Sequence, residues 1–424
     1  MSSSSLTPHL KRLSIRDFLL TAHAEALHYA IKEHEPVTIV TGNESADLDS
    51  MTSALVYAYI RSCAPPKNSF GSMYVPIVAI PRHDLSVRPE FTALLKYAGV
   101  KPIELPCLDD IPPGKKLLKP KTTHWVLVDH NALSGRLGEV YSDNVVGCVD
   151  HHVDEGKVPK DAEKRFGEPR VIEKTGSCTS LVVRYLQDDW DKLSRGAQNE
   201  VREWDAQLAK LAMGSILIDT RDLEDEGKVT DDDQKAVEYL LEKIHAAGDG
   251  DQFDRHKFYD EIDKAKKNLE SLSISDILRK DYKEWTEKKE KIGISCVVKP
   301  ITWMKKKADS EAKDEDGQTA LLERMRKYAK ERDLDIFGLM TTFTDDDGNF
   351  RRELMIWALD KDVVDAAKKF QKTSADGLGL EEWKVDGGMD EENSKEWRRV
   401  WWQRKVEHSR KRVAPLLREA VKES

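Results

Sequence analysis

Short β-branched runs alternate with longer helical patterns through about residue 245 of this 424-residue chain, and no other feature narrows the possible folds as far. PVTIVTG, MYVPIVAI, THWVLVDH and NVVGCVD read as strands, with segments such as SMTSALVYAYIRS and RPEFTALLKYAG as helices between them. The alternation predicts a parallel sheet covered by helices on both faces. Ligands of such sheets gather beyond the carboxyl ends of the strands. Four acidic or histidine-bearing segments lie where apolar runs stop: VTGNESADLDS, VLVDHN, GCVDHHVDE and SILIDT. They supply Asp47, Asp49, Asp129, Asp150, His151, His152 and Asp219. These oxygen and imidazole donors suit a pair of divalent cations, which would activate water for attack on phosphorus.

Asp47 and Asp49 are two apart at the end of a strand. An extended backbone would send both carboxylates to one face, with Cα atoms roughly 6–7 Å apart, one ligand for each cation. The same residues also suit an N-cap for the helix beginning near Ser50. Asp129 closes an apolar strand, where an unpaired carboxylate is costly to desolvate, and it is the expected bridge between the two cations. Adjacent strand side chains point to opposite faces, so the two imidazoles take different tasks. His151 is expected as a metal ligand and His152 as a proton donor to the phosphate and leaving oxygen. Asp150 would orient the histidines. Asp219 would complete the second cation's set, or serve as a helix-end or turn residue. Gly176 and Ser177 open a helix, either supporting the site or simply capping.

The length predicts two domains, each with its own core, and a monomer can work alone. A net charge of −9 provides no global basic field for nucleic acid, so cations for a polyanion must be concentrated locally. The five cysteines include no Cys-x-x-Cys pair, which fits a reducing compartment. No apolar stretch approaches the roughly 20 residues that span a bilayer, so no membrane partner is expected. The reading is cytoplasmic, with the Ser-rich basic start leaving a mitochondrial presequence as the alternative. Polar composition places a connection at 246–275, between a first domain at 1–245 and a smaller α/β domain at 276–424. KIGISCVVKPI, DIFGLMTTFTD and RELMIWALD read as the second domain's strands, QTALLERMRKYAKER and KDVVDAAKKFQK as its helices, and KKKADSEAKDEDG as an exposed loop.

GNESADLDS, VDHN, VDHHVDE and LIDT resemble the four motifs of the DHH phosphoesterase superfamily, across the whole first domain. In its pyrophosphatase branch a His stands four residues before the first motif Asp. Here that position is Asn43, as in the exopolyphosphatase and prune branches. Losing a soft imidazole tilts the preference of the site from Mn²⁺ toward Mg²⁺. Two histidines after Asp150 resemble exopolyphosphatase more than prune. HSRKRVAPLL resembles the Ser-Arg-Lys phosphate-binding signature of the superfamily's second type of associated domain. That resemblance implies that Lys283, Arg410 and Lys411 hold the terminal phosphate, and that the active site lies in the cleft between domains. Gly387-Gly388 precedes Met389 and Asp390, unlike the glycine-rich run ending in His of the related nucleases, which argues against nucleic acid.

The resemblance thus implies a two-metal hydrolase, with Mg²⁺ or Mn²⁺, that releases terminal orthophosphate from inorganic polyphosphate. Asn43, Asp129 and His152 would stand at the chemistry. The alternative is a prune-like or pyrophosphatase-type hydrolase of short-chain phosphates or cyclic nucleotides. Arg82, Arg88, Lys115, Lys116 and Lys305 to Lys307 are candidate cations along an exit path for a long chain.

Overall fold

The computed structural model describes residues 12–71, 73–113, 118–248, 252–270, 272–312, 316–385 and 388–424; Lys115 and Lys116 lie outside them. The chain divides into two compact units, Met1–Lys266 and Lys267–Ser424.

The first unit is built on five parallel strands: β1 (Val37–Thr41), β2 (Tyr74–Ile77), β3 (Thr123–Val128), β4 (Val145–Asp150) and β5 (Arg170–Ile172). Their spatial order is β2-β1-β3-β4-β5, so the direction of winding reverses between β1 and β3. Crevices at such a reversal, outside the carboxyl ends, are where open α/β sheets hold ligands. The long helices are α1 (Leu48–Cys63), α2 (Cys178–Ser194), α3 (Asn199–Thr220), α4 (Asp231–His245) and α5 (Arg255–Lys267). Every residue of α1 is buried, which explains why its sequence shows so little amphipathic period. The helices and strands share one apolar core.

The apolar run SILIDT forms the last turns of the 22-residue α3, with Ile216 and Leu217 in the core, so Asp219 stands near a helix end. A short apolar run cannot distinguish a strand from a buried helix. The 246–275 stretch also holds more than a connection. It contains α5, whose Phe258 and Ile262 pack into the first unit's core from positions four apart on one helix face.

The second unit carries a mixed sheet: β6 (Tyr282–Glu287), β7 (Glu290–Val297), β8 (Ile336–Thr344), β9 (Phe350–Ala358), β10 (Leu380–Glu382) and β12 (Trp397–Gln403), with β11 (Glu391–Glu392) paired to β12. The order is β10-β12-β9-β8-β7-β6, parallel only between β7 and β8. Side chains alternate between two cores. Phe337, Leu339, Met355 and Trp357 face one, with α6 (Ile274–Lys280), α7 (Ile301–Glu311) and α8 (Gly317–Lys330). Ile336, Met340, Leu354 and Ile356 face the other, with α9 (Val364–Leu378) and α10 (Arg410–Lys422). The KKKADSEAKDEDG stretch is helical through Glu311 rather than a loop, because Ile301, Met304 and Ala308 bury one face of α7. No described helix is long and apolar enough to cross a membrane.

Candidate metal centre

The turn after β1 is packed tightly enough to require glycine: a Cβ on Gly42 would come within 2.4 Å of the Ser50 Cβ. Asp47 then caps α1, its Oδ1 accepting from the Ser50 amide at 3.0 Å. Asp49 lies inside the first turn. The expected extended pair is therefore replaced by a cap and a helical residue, which two helical steps rotate roughly 200° apart. Asp47 stays exposed, whereas Asp49 turns inward to the N-terminus of α2. Asp49 Oδ1 accepts from Ser177 Oγ at 2.8 Å, Thr179 N at 2.9 Å, Thr179 Oγ1 at 2.7 Å and Ser215 Oγ at 3.0 Å; Oδ2 accepts from Cys178 N at 2.6 Å. Burial works against its charge, but His151 and these donors hold its pKa below the usual carboxylate range.

Asp129, which follows β3, adopts left-handed backbone (φ 60°) while its N–H still bonds Val149 O at 3.0 Å. Left-handed backbone is uncommon outside glycine and concentrates at functional turns. Asp129 Oδ2 accepts from Ser50 Oγ at 2.6 Å and Asn43 Nδ2 at 2.8 Å. Asn43 Oδ1 accepts from Ser45 N at 2.9 Å, so that amide ties its own loop to the end of β3. Asn43 thus touches the expected bridging carboxylate. Burial and the neighbouring Asp47 push Asp129 up to about 7.

His151 and His152 follow β4. The Nδ1 of His151 lies 3.1 Å from Thr175 O, which marks it as the protonated nitrogen and directs the other, Nε2, at Asp129 Oδ1, 3.2 Å away. Burial alone would lower His151, but the hydrogen bond to Asp129 and the charges of Asp49 and Asp219 lift it to about 9. His152 directs Nδ1 at Asp150 Oδ1, 2.9 Å away, and its side chain is 40% exposed. Asp150 is fully buried and accepts from the His151 amide at 2.8 Å and from Asn131 Nδ2 at 2.6 Å, so it touches the ring of His152 and the backbone of His151. Ligand atoms of Asp129, His151 and His152 lie within 4.8 Å of one another.

Asp219, near the end of α3, supplies the sharpest test of fit for a cation. Its Oδ2 is buried without a hydrogen-bond partner, and burial together with the charges of Asp49, Asp47 and Asp129 drives its pKa well up. Like charges that close are repelled unless a cation stands among them. The donor set, carboxylate oxygens with an imidazole nitrogen, suits a hard or borderline divalent ion.

Three contributors were not singled out from sequence. Ser50 and Asn131 each follow a motif acid closely, and that adjacency was the available signal. Asp233 is fully buried on α4 and gathers Thr175 Oγ1, Gly176 N, Ser177 N, Ser180 Oγ and both Thr230 groups. In the second unit, Lys283 on β6 is exposed and pairs in register with Ile294. Arg410 opens α10 with Nη2 on Asp281 Oδ1 at 2.6 Å and Nη1 at 3.4 Å from Ile294 O, so the two cations adjoin the same strand position. Lys411 is exposed, its N–H capped by Ser409 Oγ at 3.3 Å. Several exit-path candidates are engaged locally. Arg82 donates to the Ile103 and Leu105 carbonyls at 2.9 and 2.7 Å, Arg88 to Ser45 and Ala46 carbonyls, and Lys307 to Glu270 O at 2.9 Å. Lys305 is buried beneath Trp383.

Comparison with known proteins agrees with this geometry. Residues 37–216 match the model of the DHH family N-terminal domain and residues 260–420 that of the DHHA2 domain. A Schizosaccharomyces pombe protein whose name proposes an exopolyphosphatase is 33% identical over 97% of this chain and 96% of its own. A manganese-dependent inorganic pyrophosphatase of Methanothrix thermoacetophila is 27% identical over 72% of this chain and 80% of its own. A Methanococcus jannaschii structure assigned to the family II inorganic pyrophosphatases aligns with a TM-score of 0.53 at 20% identity, over 90% of this chain and 99% of its own, which speaks to the fold. With Asp129, His151 and His152 brought together beyond β3 and β4, and both domain models matched in order, the chain belongs to the DHH phosphoesterase superfamily, in the branch that carries a DHHA2 domain.

Proposed function

We propose that this chain is an exopolyphosphatase, a metal-dependent phosphoanhydride hydrolase that removes terminal orthophosphate from inorganic polyphosphate. The observation that carries the reading is the buried, unpartnered Oδ2 of Asp219, which feels the charges of Asp47, Asp49 and Asp129, together with the His151 Nε2 directed at Asp129. Asp47, Asp49, Asp129, His151 and Asp219 would hold two divalent cations, Mg²⁺ or Mn²⁺. Bound there, the cations would supply Lewis acidity that lowers the pKa of water and neutralises charge on phosphorus oxygens.

The protein's own groups do the rest. Asn43 and Ser50 fix the Asp129 carboxylate. Asn131 fixes Asp150, which holds Nδ1 of His152 and leaves its Nε2 to give a proton to the departing phosphate chain. Lys283, Arg410 and Lys411 supply the positive charge for the equatorial oxygens of the terminal phosphate, with Arg410 held beside Lys283 by Asp281. The relatives' names include both an exopolyphosphatase and a pyrophosphatase. Phosphate release from long polyphosphate, tripolyphosphate, pyrophosphate and cyclic AMP is therefore the deciding experiment. Long polyphosphate should give the highest kcat/KM, and Asp129→Asn should lower it by at least about a hundredfold. Turnover confined to pyrophosphate or cyclic AMP would replace this reading, and undiminished activity in Asp129→Asn would remove the metal centre from it.

A further inference from the structure

A polyphosphate chain carries one negative charge on each inner phosphate, so an enzyme acting on its end needs cations beyond those gripping the terminal group. Arg82, Arg88, Lys305 and Lys307 are committed elsewhere. A different place in the second unit meets the requirement. A pocket of 490 Å³ is lined by Arg351, Arg352, Arg404, Phe350, Trp402 and Gln403. Two of its guanidinium groups have acidic partners, Arg351 with Asp345 at 2.7 Å and Arg404 with Glu381 at 2.6 Å. Arg352 has none: among the described residues no carboxylate pairs with it, and its Nε is spent on the carbonyl of Val406. Burial accordingly lowers its pKa. A half-buried guanidinium without a counter-ion is costly to desolvate, and an incoming anion removes that cost.

The pocket also adjoins the proposed phosphate grip. Arg352 lies on β9 two and four residues before Leu354 and Ile356, so it shares the sheet face that carries α10. Cys296 on β7 occupies the same face, and its thiol feels the charges of Arg410, Arg352 and Lys283 together. The Val406 carbonyl that Arg352 holds lies three residues before Ser409, the cap of α10. Arg352 therefore anchors the loop leading into Ser409-Arg410-Lys411 with one nitrogen and keeps its remaining N–H groups for the pocket. Its guanidinium sits 5.4 Å over the Phe350 ring. Gln403 is 1% exposed and gives Nε2 to Lys405 O and His408 O, leaving Oε1 unpartnered, an acceptor for a water bridging to an anion.

We propose that this arginine pocket is a second anion subsite, which binds an inner phosphate of a polyphosphate chain whose end is held by Lys283, Arg410 and Lys411. The proposal rests on the polyphosphate reading above, so its test must read binding rather than turnover. Full-length protein carrying Asp129→Asn to stop hydrolysis is titrated in Mg²⁺ buffer with long-chain polyphosphate and with pyrophosphate, in three forms: parent, Arg352→Gln and Arg404→Gln. Removing a charge-assisted contact should weaken long-chain binding about tenfold and pyrophosphate binding by less than about twofold. Melting temperatures identify variants that remain folded, and Arg404, being exposed, keeps one such variant in hand. A chain-selective loss in at least one variant that melts with the parent supports the subsite. If no such variant shows it, the subsite is overturned, including when both ligands weaken equally. A wild-type enzyme that binds chain-selectively but releases no phosphate from polyphosphate would instead overturn the hydrolytic reading alone.

Discussion

Asn43 and Asp129 show how one residue can be read twice. By its position in the motif, Asn43 marks the loss of an imidazole ligand; in the structure its amide nitrogen is used to hold Asp129 Oδ2 at 2.8 Å. Asn43→His would exchange that contact for a softer nitrogen donor, so activity with Mn²⁺ relative to Mg²⁺ should rise by about fivefold or more in parallel assays with the two ions. An unchanged ratio would mean that residue 43 does not reach the cations. His124, remote from this chemistry, gives a pH prediction. It stacks on Phe70 with centroids 3.7 Å apart, and burial lowers its pKa to about 4. An unfolded His titrates near 6.5. Because the folded value is the depressed one, the unfolded chain takes up a proton that the folded chain refuses as pH falls from about 6.5 to about 4, and stability is lost across that window. Urea midpoints should therefore drop more steeply between pH 7 and pH 5 in wild type than in His124→Phe. Parallel slopes would assign the acid sensitivity to other groups.

At the scale of elements, the N-terminus of α2 organises the centre. Its free amides and hydroxyls solvate Asp49, and the strand-to-helix turn before it supplies the Thr175 carbonyl that fixes the His151 tautomer. Asp233 on α4 clamps that turn with both oxygens. Asp233→Ala would leave buried donors unpaired and should destabilise the first unit by about 3–5 kcal/mol in denaturant melts, with Asp233→Asn in between. A cost below about 1 kcal/mol would show that water replaces the clamp. Asp233 could not be found from sequence because TDDD reads as a helix start, and it is one: Thr230 and Asp233 form a capping box. Asp129 and Asp150 were legible because each stands at the end of an apolar, β-branched strand. Asp219 was noted as ending an apolar run, which left helix and strand undecided, and it stands near the end of α3. Asp47 and Asp49 were placed on the right segment with the wrong backbone, since nothing local tells a strand end from a helix cap. In the second unit, WRRVWWQ went unassigned because its two arginines mask a strand whose Trp397, Val400 and Trp401 are buried. Arg398 and Arg399 bond neighbouring carbonyls there.

At the scale of the whole molecule, the two units have separate cores, one in the first and two flanking the sheet of the second. Among the described residues the close cluster of metal-ligating side chains belongs to the first unit alone. A ligand that binds only folded protein stabilises the unit containing its site, by about 2.7 kcal/mol for each site at a hundredfold excess over Kd. For a unit of this size that is roughly 5–10 °C in Tm. Calorimetry of the full chain should therefore resolve a transition that rises with added Mg²⁺ or Mn²⁺ and another that does not. Asp219→Asn changes the prediction in two ways. It removes a buried charge repelled by three neighbours, so the metal-free transition should rise. It also deletes a ligand, so the metal-induced increment should shrink. Opposite signs from one substitution separate a metal site from a structural ion pair, for which both changes would be losses. If Asp219→Asn lowers the metal-free Tm and leaves the increment whole, the buried oxygen of Asp219 serves some purpose other than holding a cation.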